Sequence, residues 1–85
     1  MDKDNPLYYT SDLGISAYLV TLGYRIATFD AANTNRIKFG FAQGESLEED
    51  VTKYSAGMAR VDPSLFYNNI KNLKLRVMGA RENQP

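Results

Sequence analysis

Apolar residues recur at helical spacing directly after the polar stretch TSD at residues 10–12. Positions i, i+3, i+4 and i+7 of one stripe are Ile15, Tyr18, Leu19 and Leu22. This spacing predicts an amphipathic helix. The side-chain oxygens of TSD can cap its first turn, and Gly23 can end it because glycine tolerates positive φ.

The segment RIKFGFAQ alternates apolar and polar residues, as a half-buried strand does. Ile37, Phe39 and Phe41 share one face, and Arg36, Lys38 and Gly40 share the other. A second strand is predicted in YRIATFD, and the polar link DAANTN between the two favours an antiparallel hairpin. LYYT adds the option of a short strand, Leu7 to Tyr9.

The inward face of YRIATFD remains open at this point. One alternative points Tyr24, Ile26 and Thr28 inward, and the other points Ala27 and Phe29 inward. A slip of one residue exchanges the two, because strand side chains alternate with a period of two.

Two more helices are predicted in the second half. In the first of them, Ser46 and Glu49 have the spacing of a capping box. Its apolar stripe is Leu47, Val51, Tyr54 and Met58, and Gly57 is expected to end it. In the second, Asp62 is a suitable N-cap and Pro63 suits the first helical position.

This last helix is expected to run from Pro63 to about Met78. Its core-facing arc is Phe66, Ile70, Leu73 and Val77. A second, wider arc contains Tyr67, Lys71, Lys74, Leu75 and Met78. Arg76 falls on the opposite flank, so the basic residues do not form one stripe.

The elements together predict an α+β fold in which a β-hairpin, with the optional third strand, packs against three helices in the order (β)-α-β-β-α-α. We expect a single domain over residues 1–85, with an ordered core at 7–78 and loose tails at 1–5 and 79–85. No apolar run approaches the roughly 20 residues that span a bilayer. The first residues, MDKDNP, do not resemble a signal peptide, so we expect a cytoplasmic protein without membrane contact.

The amino-acid composition lacks the residue types on which most catalytic sites depend. The chain has no cysteine and no histidine, so thiolate metal sites, disulfides and imidazole bases are excluded. No glycine-rich phosphate loop is present. The acids Glu45, Glu48, Glu49 and Asp50 are better explained by helix capping and the helix dipole than by a metal. We expect no enzyme activity and no cofactor.

Charge is zero overall and uneven along the chain. Residues 1–50 carry eight acids and four bases, which sum to −4, and residues 51–85 carry two acids and six bases, which sum to +4. Helix-dipole preference and solvated lysines that cover the core with their methylene stems explain this pattern without any ligand. This explanation is the favoured one, and the alternatives are an anion-facing surface in the C-terminal part of the chain or head-to-tail contact between copies.

If Ile26 and Phe39 face the core, the outer hairpin face carries an aromatic ring among cations. The predicted contact residues are Arg25, Phe29, Arg36 and Lys38 on the hairpin, with Tyr67, Lys71, Lys74 and Arg76 on the last helix. Aromatic and basic residues on an open sheet face are typical of single-strand binding, so nucleic acid is the first predicted partner.

The alternative is a protein-interaction module, such as a phage inhibitor of a host enzyme or a self-associating component. Zero net charge favours this hypothesis, as do the apolar candidates for exposure: Tyr8, Tyr9, Tyr67, Leu75 and Met78. The oligomeric state stays open.

Three stretches carry a resemblance to a known family: YYTSDLGISAYLVTLGYRI, then IKFGFAQ, then YSAGMARVDPSLFYNNIKNLKLRV. Over about residues 7–77 the chain resembles small uncharacterised proteins of phages and bacterial mobile elements, a family known only as a domain of unknown function. The resemblance implies a compact α/β fold in a phage or mobile-element setting. It implies no activity and no functional site.

Overall fold

A computed structural model describes residues 7–82. The elements are β1 (Leu7–Thr10), α1 (Leu13–Leu22), β2 (Ile26–Asp30), β3 (Lys38–Ala42), α2 (Leu47–Ser55) and α3 (Pro63–Glu82). The predicted α+β class and element order are confirmed, and the optional strand at the start is present. The expected loose tail at residues 1–5 lies outside the described residues.

The three strands form one antiparallel sheet in the order β1-β3-β2. β3 is therefore the central strand, and its rings supply the core: Phe39 and Phe41 are fully buried. Tyr8 and Ile26 pair with Phe41 from the two sides. The predicted core face of β3 is confirmed, including the buried Ile37 just before it.

A bulge in β2 decides which of its side chains face the core. Ile26 pairs with Phe41 and Phe29 pairs with Phe39, with a register shift between Ile26 and Thr28. An extra residue in one strand of a pair changes the alternation, so Ile26 and Phe29 both face inward. Each of the two predicted alternatives is wrong in part, because each assumed an uninterrupted period of two.

α1 lies at the centre of the helical layer, where it packs against α3, α2 and β1. The Asp12 side chain accepts a 2.9 Å hydrogen bond from the Ile15 amide and caps the helix. Gly23 ends it with φ 107°. Because neighbours surround α1, Ser16 and Ala17 are buried together with Tyr18 and Leu19, whereas the predicted core residue Leu22 is exposed.

α2 lies where it was predicted, between Ser46 and Gly57, but its N-terminal cap and its apolar stripe differ from the prediction. Ser46 adopts helical backbone angles, φ −99° and ψ −2°, and its side chain makes no capping hydrogen bond, so the predicted capping box is wrong. Leu47 is fully buried, but Met58 is 67% exposed. Met58 leaves the predicted stripe because the helix ends at Ser55 and Gly57 then turns the chain with φ 76°.

α3 begins as predicted and ends later. The Asp62 carboxylate accepts a 3.0 Å hydrogen bond from the Leu65 amide at the predicted N-cap. Leu73 is buried, and the rest of the predicted core arc packs against it. The helix continues to Glu82 instead of stopping near Met78, so residues 79–82 are not a loose tail. Arg81 stabilises the added turn, since its Nε donates a 2.9 Å hydrogen bond to the Thr34 carbonyl oxygen.

Polar contacts join the helices to one another. Asn69 Nδ2 on α3 donates to Thr21 Oγ1 on α1 at 2.9 Å, and Thr21 Oγ1 donates to the Ala17 carbonyl oxygen at 2.7 Å. The Tyr24 hydroxyl donates to the Asp50 carboxylate at 2.7 Å and so ties the start of β2 to α2. Within residues 7–82, no helix is long and apolar enough to cross a bilayer.

Candidate ligand-binding surface

The sheet has one face without a helical cover, opposite the buried rings of Phe39 and Phe41. We call it the open face, and its side chains come from all three strands: Tyr9, Thr28, Asp30, Lys38, Gly40 and Ala42. All of them are exposed except Gly40. The open face is the surface on which an extended ligand can lie against the sheet.

Tyr9 is the aromatic ring of the open face, and Gly40 sets its position. The two residues pair across β1 and β3. A Cβ atom on residue 40 would lie 2.9 Å from Tyr9 Cε1 and 3.2 Å from Cδ1, so the ring occupies the space that a side chain would need. Tyr9 is still 49% exposed. The ring is therefore held on the sheet while half of its surface can meet a ligand.

Two concave regions share Ser11 and Arg36, and one of them adjoins the open face beside Tyr9. That one, the side cavity, is about 460 Å³ and is lined by Tyr9, Thr10, Ser11, Arg36 and Lys38. The other, the end pocket, is about 410 Å³ and lies between the β2–β3 connection and the last turn of α3. Its polar lining is Ser11, Asn35, Arg36 and Arg81, over apolar side chains that include Leu13 and Val77. Because Ser11 and Arg36 line both, the two regions are adjacent.

Three cations surround these regions: Arg36, Lys38 and Arg81. Among the residues that the structure describes, no carboxylate lines either one. Two acids flank the lining: Asp12 follows Ser11 in the chain, and Asp30 pairs directly with Lys38 across the hairpin. Asp30 Oδ1 accepts a 3.1 Å hydrogen bond from the Ala32 amide, which directs part of that carboxylate into the turn. The local charge is positive although the whole chain is neutral.

The structure brings together only part of the predicted hairpin set. Arg36 and Lys38 share the side cavity. Arg25 precedes the other end of β2. Along an extended strand it lies about 16 Å from Asp30, the residue that pairs with Lys38. Phe29 is not on the outer face: its ring centroid lies 5.3 Å from that of Phe39, on the core side. Phe29 was predicted as a partner contact because it was expected on the outer face. That placement is wrong, because the bulge turns Phe29 inward.

The predicted residues of α3 divide in the same way. The Arg76 guanidinium lies 4.9 Å from the Phe29 ring centroid and covers that ring. Lys71 Nζ lies 5.1 Å from the Tyr67 ring centroid. Tyr67, Lys71, Lys74, Leu75 and Met78 form what we call the α3 outer face, which includes a shallow groove of about 240 Å³. The eight predicted contact residues therefore do not form one surface.

Two members of the surface were missed as nucleic-acid contacts. Tyr9 was predicted only as an apolar protein contact, although its place opposite Gly40 follows once β1 is paired with β3. Arg81 was assigned to the tail, and the helical spacing from Val77 to Arg81 was the available signal for a longer α3.

The acids of α2 line neither concave region, and one of them, Asp50, makes a structural hydrogen bond. Within the described range 7–82, no group of three acids, histidines or cysteines is placed to hold a metal ion. The pKa of Tyr24 is raised to about 12, first by desolvation of its hydroxyl and then by the hydrogen bond to Asp50. That hydrogen bond is a structural tie, and neither of its residues lines the side cavity or the end pocket.

The fold and the surface define a small α+β domain whose open sheet face carries an exposed tyrosine ring beside a group of three cations. Residues 5–79 match the family model of a domain of unknown function, DUF5659, and the chain belongs to this family. Comparison with curated proteins and with solved structures found no match. The predicted membership of an uncharacterised domain family is confirmed, and the phage or mobile-element setting stays a prediction.

Proposed function

We propose that this domain is a non-enzymatic module that binds single-stranded nucleic acid on the open face. The observation that carries the proposal is the Tyr9 ring, which is held against Gly40 and half exposed beside Arg36 and Lys38. A base stacks on the free side of the ring, and the two cations bind the phosphates on either side of that base.

The shape of the surface favours a single strand over a duplex. Stacking on Tyr9 requires a base whose face is free, which a paired and stacked duplex does not offer. The ring and the two cations lie along neighbouring strands of one sheet, so a flexible backbone can follow them. The side cavity then receives the phosphate beside the stacked base.

The charges predict a modest dependence on salt. Three cations line the two concave regions, and each phosphate that they neutralise releases a counterion. With a slope near −0.7 per contact for single strands, affinity falls about a hundredfold for a tenfold rise in salt. Asp30 opposes this attraction across from Lys38, which makes it the residue to neutralise for a gain of affinity.

The decisive experiment is fluorescence anisotropy with a short labelled oligonucleotide at two salt concentrations. Tyr9→Ala should remove one stacking contact, worth roughly 1–3 kcal/mol. Arg36→Gln and Lys38→Gln should weaken binding and flatten the salt dependence. Asp30→Asn should strengthen binding, and it retains the oxygen that accepts from Ala32.

Lys53→Gln is the matched control. Lys53 is an exposed base on α2 that lines neither concave region, so its loss changes the net charge by the same amount without touching the proposed site. Equal effects of Lys53→Gln and Lys38→Gln would reduce the interaction to non-specific charge. No detectable binding of DNA or RNA single strands at low salt would overturn the proposal.

The cellular setting belongs to the same proposal. The resemblance to proteins of phages and mobile elements supports an accessory role in replication or regulation of such an element. The lack of cysteine suits a reducing cytoplasm.

A second function, protein docking, is favoured by one observation on the α3 outer face. Tyr67, Leu75 and Met78 are 61%, 65% and 51% exposed there, with Lys71 and Lys74 between Tyr67 and Leu75 along the helix. Exposed aromatic and aliphatic side chains are typical of protein contacts. A strictly monomeric sedimentation profile, together with the absence of a partner in a host lysate, would argue against this function.

A further inference from the structure

We infer that the end pocket is a binding site for a phosphate monoester, an inference that rests on the proposed function where it concerns nucleic acid. The residues that line the end pocket include two arginines, Arg36 and Arg81, and two residues with neutral side chains that can donate hydrogen bonds, Ser11 and Asn35. Arginine matches phosphate oxygens because its donors lie in a planar fork.

Arg81 is fixed in a way that leaves its fork free. Its Nε donates to the Thr34 carbonyl oxygen at 2.9 Å. Guanidinium has five N–H donors, so the two terminal Nη groups still carry four of them. The bond to Thr34 therefore reduces the entropy that Arg81 loses on binding an anion, while the charge and most of the donors remain available.

The connection between β2 and β3 fixes Arg36 on the other side. The Asn33 side chain accepts a 3.0 Å hydrogen bond from the Asn35 amide, and the Asn33 carbonyl accepts a 2.9 Å hydrogen bond from the Arg36 amide. These bonds hold the backbone of Asn35 and Arg36 in a turn. The turn places both residues on the lining of the end pocket, facing the Arg81 side of it.

The charge and size of the end pocket favour a monoester over an internal phosphodiester. A phosphate monoester carries about −1.5 to −2 at neutral pH, which two guanidinium groups balance, whereas a diester carries only one charge. The volume of about 410 Å³ is ample for a phosphate with part of a sugar. Apolar side chains such as Leu13 and Val77 line the same space and can contact the sugar.

The position of the end pocket indicates where the phosphate comes from. It is adjacent to the side cavity, with which it shares Ser11 and Arg36. A strand stacked on Tyr9 can therefore place its terminal phosphate in the end pocket. A free nucleotide or inorganic phosphate has the same chemistry, and the experiment separates these sources.

The first arm of the test is an NMR titration of the labelled protein with inorganic phosphate, against chloride at matched ionic strength. Phosphate should shift the backbone amides of Ser11, Asn35 and Arg36 and the side-chain Nε–H of Arg81. Asn35→Asp is the main variant, because it places a negative charge in the end pocket without altering the Arg81–Thr34 bond. Lys74→Gln, on the α3 outer face, is the control that should leave the titration unchanged.

The second arm compares one oligonucleotide with a 5′-phosphate, with a 3′-phosphate and with hydroxyl ends. A strand-end site predicts that one phosphorylated end binds about tenfold more tightly, and that Asn35→Asp removes the difference. Phosphate shifts without any end preference support the monoester site and assign it to a free phosphate compound.

No phosphate shift and no end preference would overturn the inference, even if hydroxyl-ended strands bind, and that result would leave the proposed function intact. Conversely, phosphate shifts at the end pocket with no affinity for any strand would uphold the monoester site and refute the proposed function. The experiments can therefore refute either proposal without refuting the other.

Discussion

The guanidinium of Arg76 lies 4.9 Å from the centroid of the Phe29 ring. This contact joins α3 to β2, since Phe29 also lies 5.3 Å from Phe39 in the core. Two residues that the sequence predicts as partner contacts thus contact each other. A cation above an aromatic ring is attracted by the ring's quadrupole, so the pair has a structural function within the domain.

We predict that Arg76→Gln lowers the free energy of unfolding by about 0.5–1 kcal/mol, the value of an exposed cation–π contact. Its affinity for a labelled oligonucleotide should stay unchanged, because Arg76 lines neither the side cavity nor the end pocket. Urea denaturation and anisotropy measure the two quantities.

Lys74→Gln serves as the control for this prediction, since it removes one charge from the exposed side of the same helix. Its stability should stay within about 0.5 kcal/mol of the parent. A loss of oligonucleotide affinity in Arg76→Gln as large as that in Arg36→Gln would place Arg76 in the binding surface after all.

Gly40→Ala should destabilise the domain by about 1–3 kcal/mol, as other forced insertions of atoms do. The added Cβ would lie 2.5 Å from Thr28 Oγ1 and 2.9 Å from Tyr9 Cε1, so both side chains must move. Displacement of Tyr9 should also weaken oligonucleotide binding. Urea denaturation and anisotropy on the same preparation test the two effects together.

Gly44→Ala is the matched comparison for Gly40→Ala. An added Cβ at residue 44 has no atom within 4 Å, and neither glycine has positive φ. Its unfolding free energy should therefore change by no more than about 0.5 kcal/mol. Equal losses in both variants would show that the displacement of the Tyr9 ring does not explain the effect, because the lower entropy of the unfolded chain favours alanine at both positions.

Two hydroxyl groups on α1 should respond in opposite directions. Ser16 is fully buried, and its Oγ has no hydrogen-bond partner among the residues described. Ser16→Ala removes the cost of that desolvated group and should raise the unfolding free energy by about 1 kcal/mol. Thr21→Val removes the acceptor for Asn69 and should lower it by about 1–3 kcal/mol.

Thermal unfolding followed by circular dichroism distinguishes these two variants, because each keeps the helix and nearly the same side-chain volume. The midpoint should rise for Ser16→Ala and fall for Thr21→Val. A fall for both would mean that the Ser16 hydroxyl is satisfied in solution.

The raised pKa of Tyr24 predicts that the domain loses stability at alkaline pH. Its pKa rises from 10.0 to about 12 on folding, mainly by desolvation and then by its hydrogen bond to Asp50. A pKa that is raised in the folded state gives stability that is complete below pH 10 and is lost as pH rises towards 12. Tyr24→Phe should therefore be less stable than the parent at neutral pH, and the gap should narrow between pH 10 and 12.

Urea denaturation across that pH range measures the gap. Tyr67→Phe is the control, because it removes a tyrosine hydroxyl from a side chain that is 61% exposed. At neutral pH it should change the unfolding free energy less than Tyr24→Phe does. A difference between Tyr24→Phe and the parent that stays constant between pH 10 and 12 would contradict the raised pKa of Tyr24.

Local signals predicted the elements well. The Asp12 cap, the stop at Gly23 and the Asp62–Pro63 start of α3 each depend on a few neighbouring residues, and all three are confirmed. The Ser46 capping box has an equally good local pattern and does not form. Its backbone is helical instead of extended, so the geometry that a cap needs is absent.

The candidate site was only partly predictable for the same reason. Arg36 and Lys38 were found from strand alternation, which is a local property. Tyr9 and Arg81 join them through the pairing of β1 with β3 and through the hydrogen bond to Thr34, contacts between residues far apart in the chain. Phe29 is not part of the site because a bulge in β2 turns it inward, and the segment YRIATFD contains no signal for that bulge.

The sequence by itself determined the α+β class, the order of the elements and the caps that begin α1 and α3. These features follow from hydrophobic period and backbone preference over a few residues. Only the tertiary structure decided the inward turn of Phe29, the central place of β3 and the gathering of cations around Ser11. Such features depend on which distant segments pair, and a difference of one residue in register reverses the face of every side chain that follows.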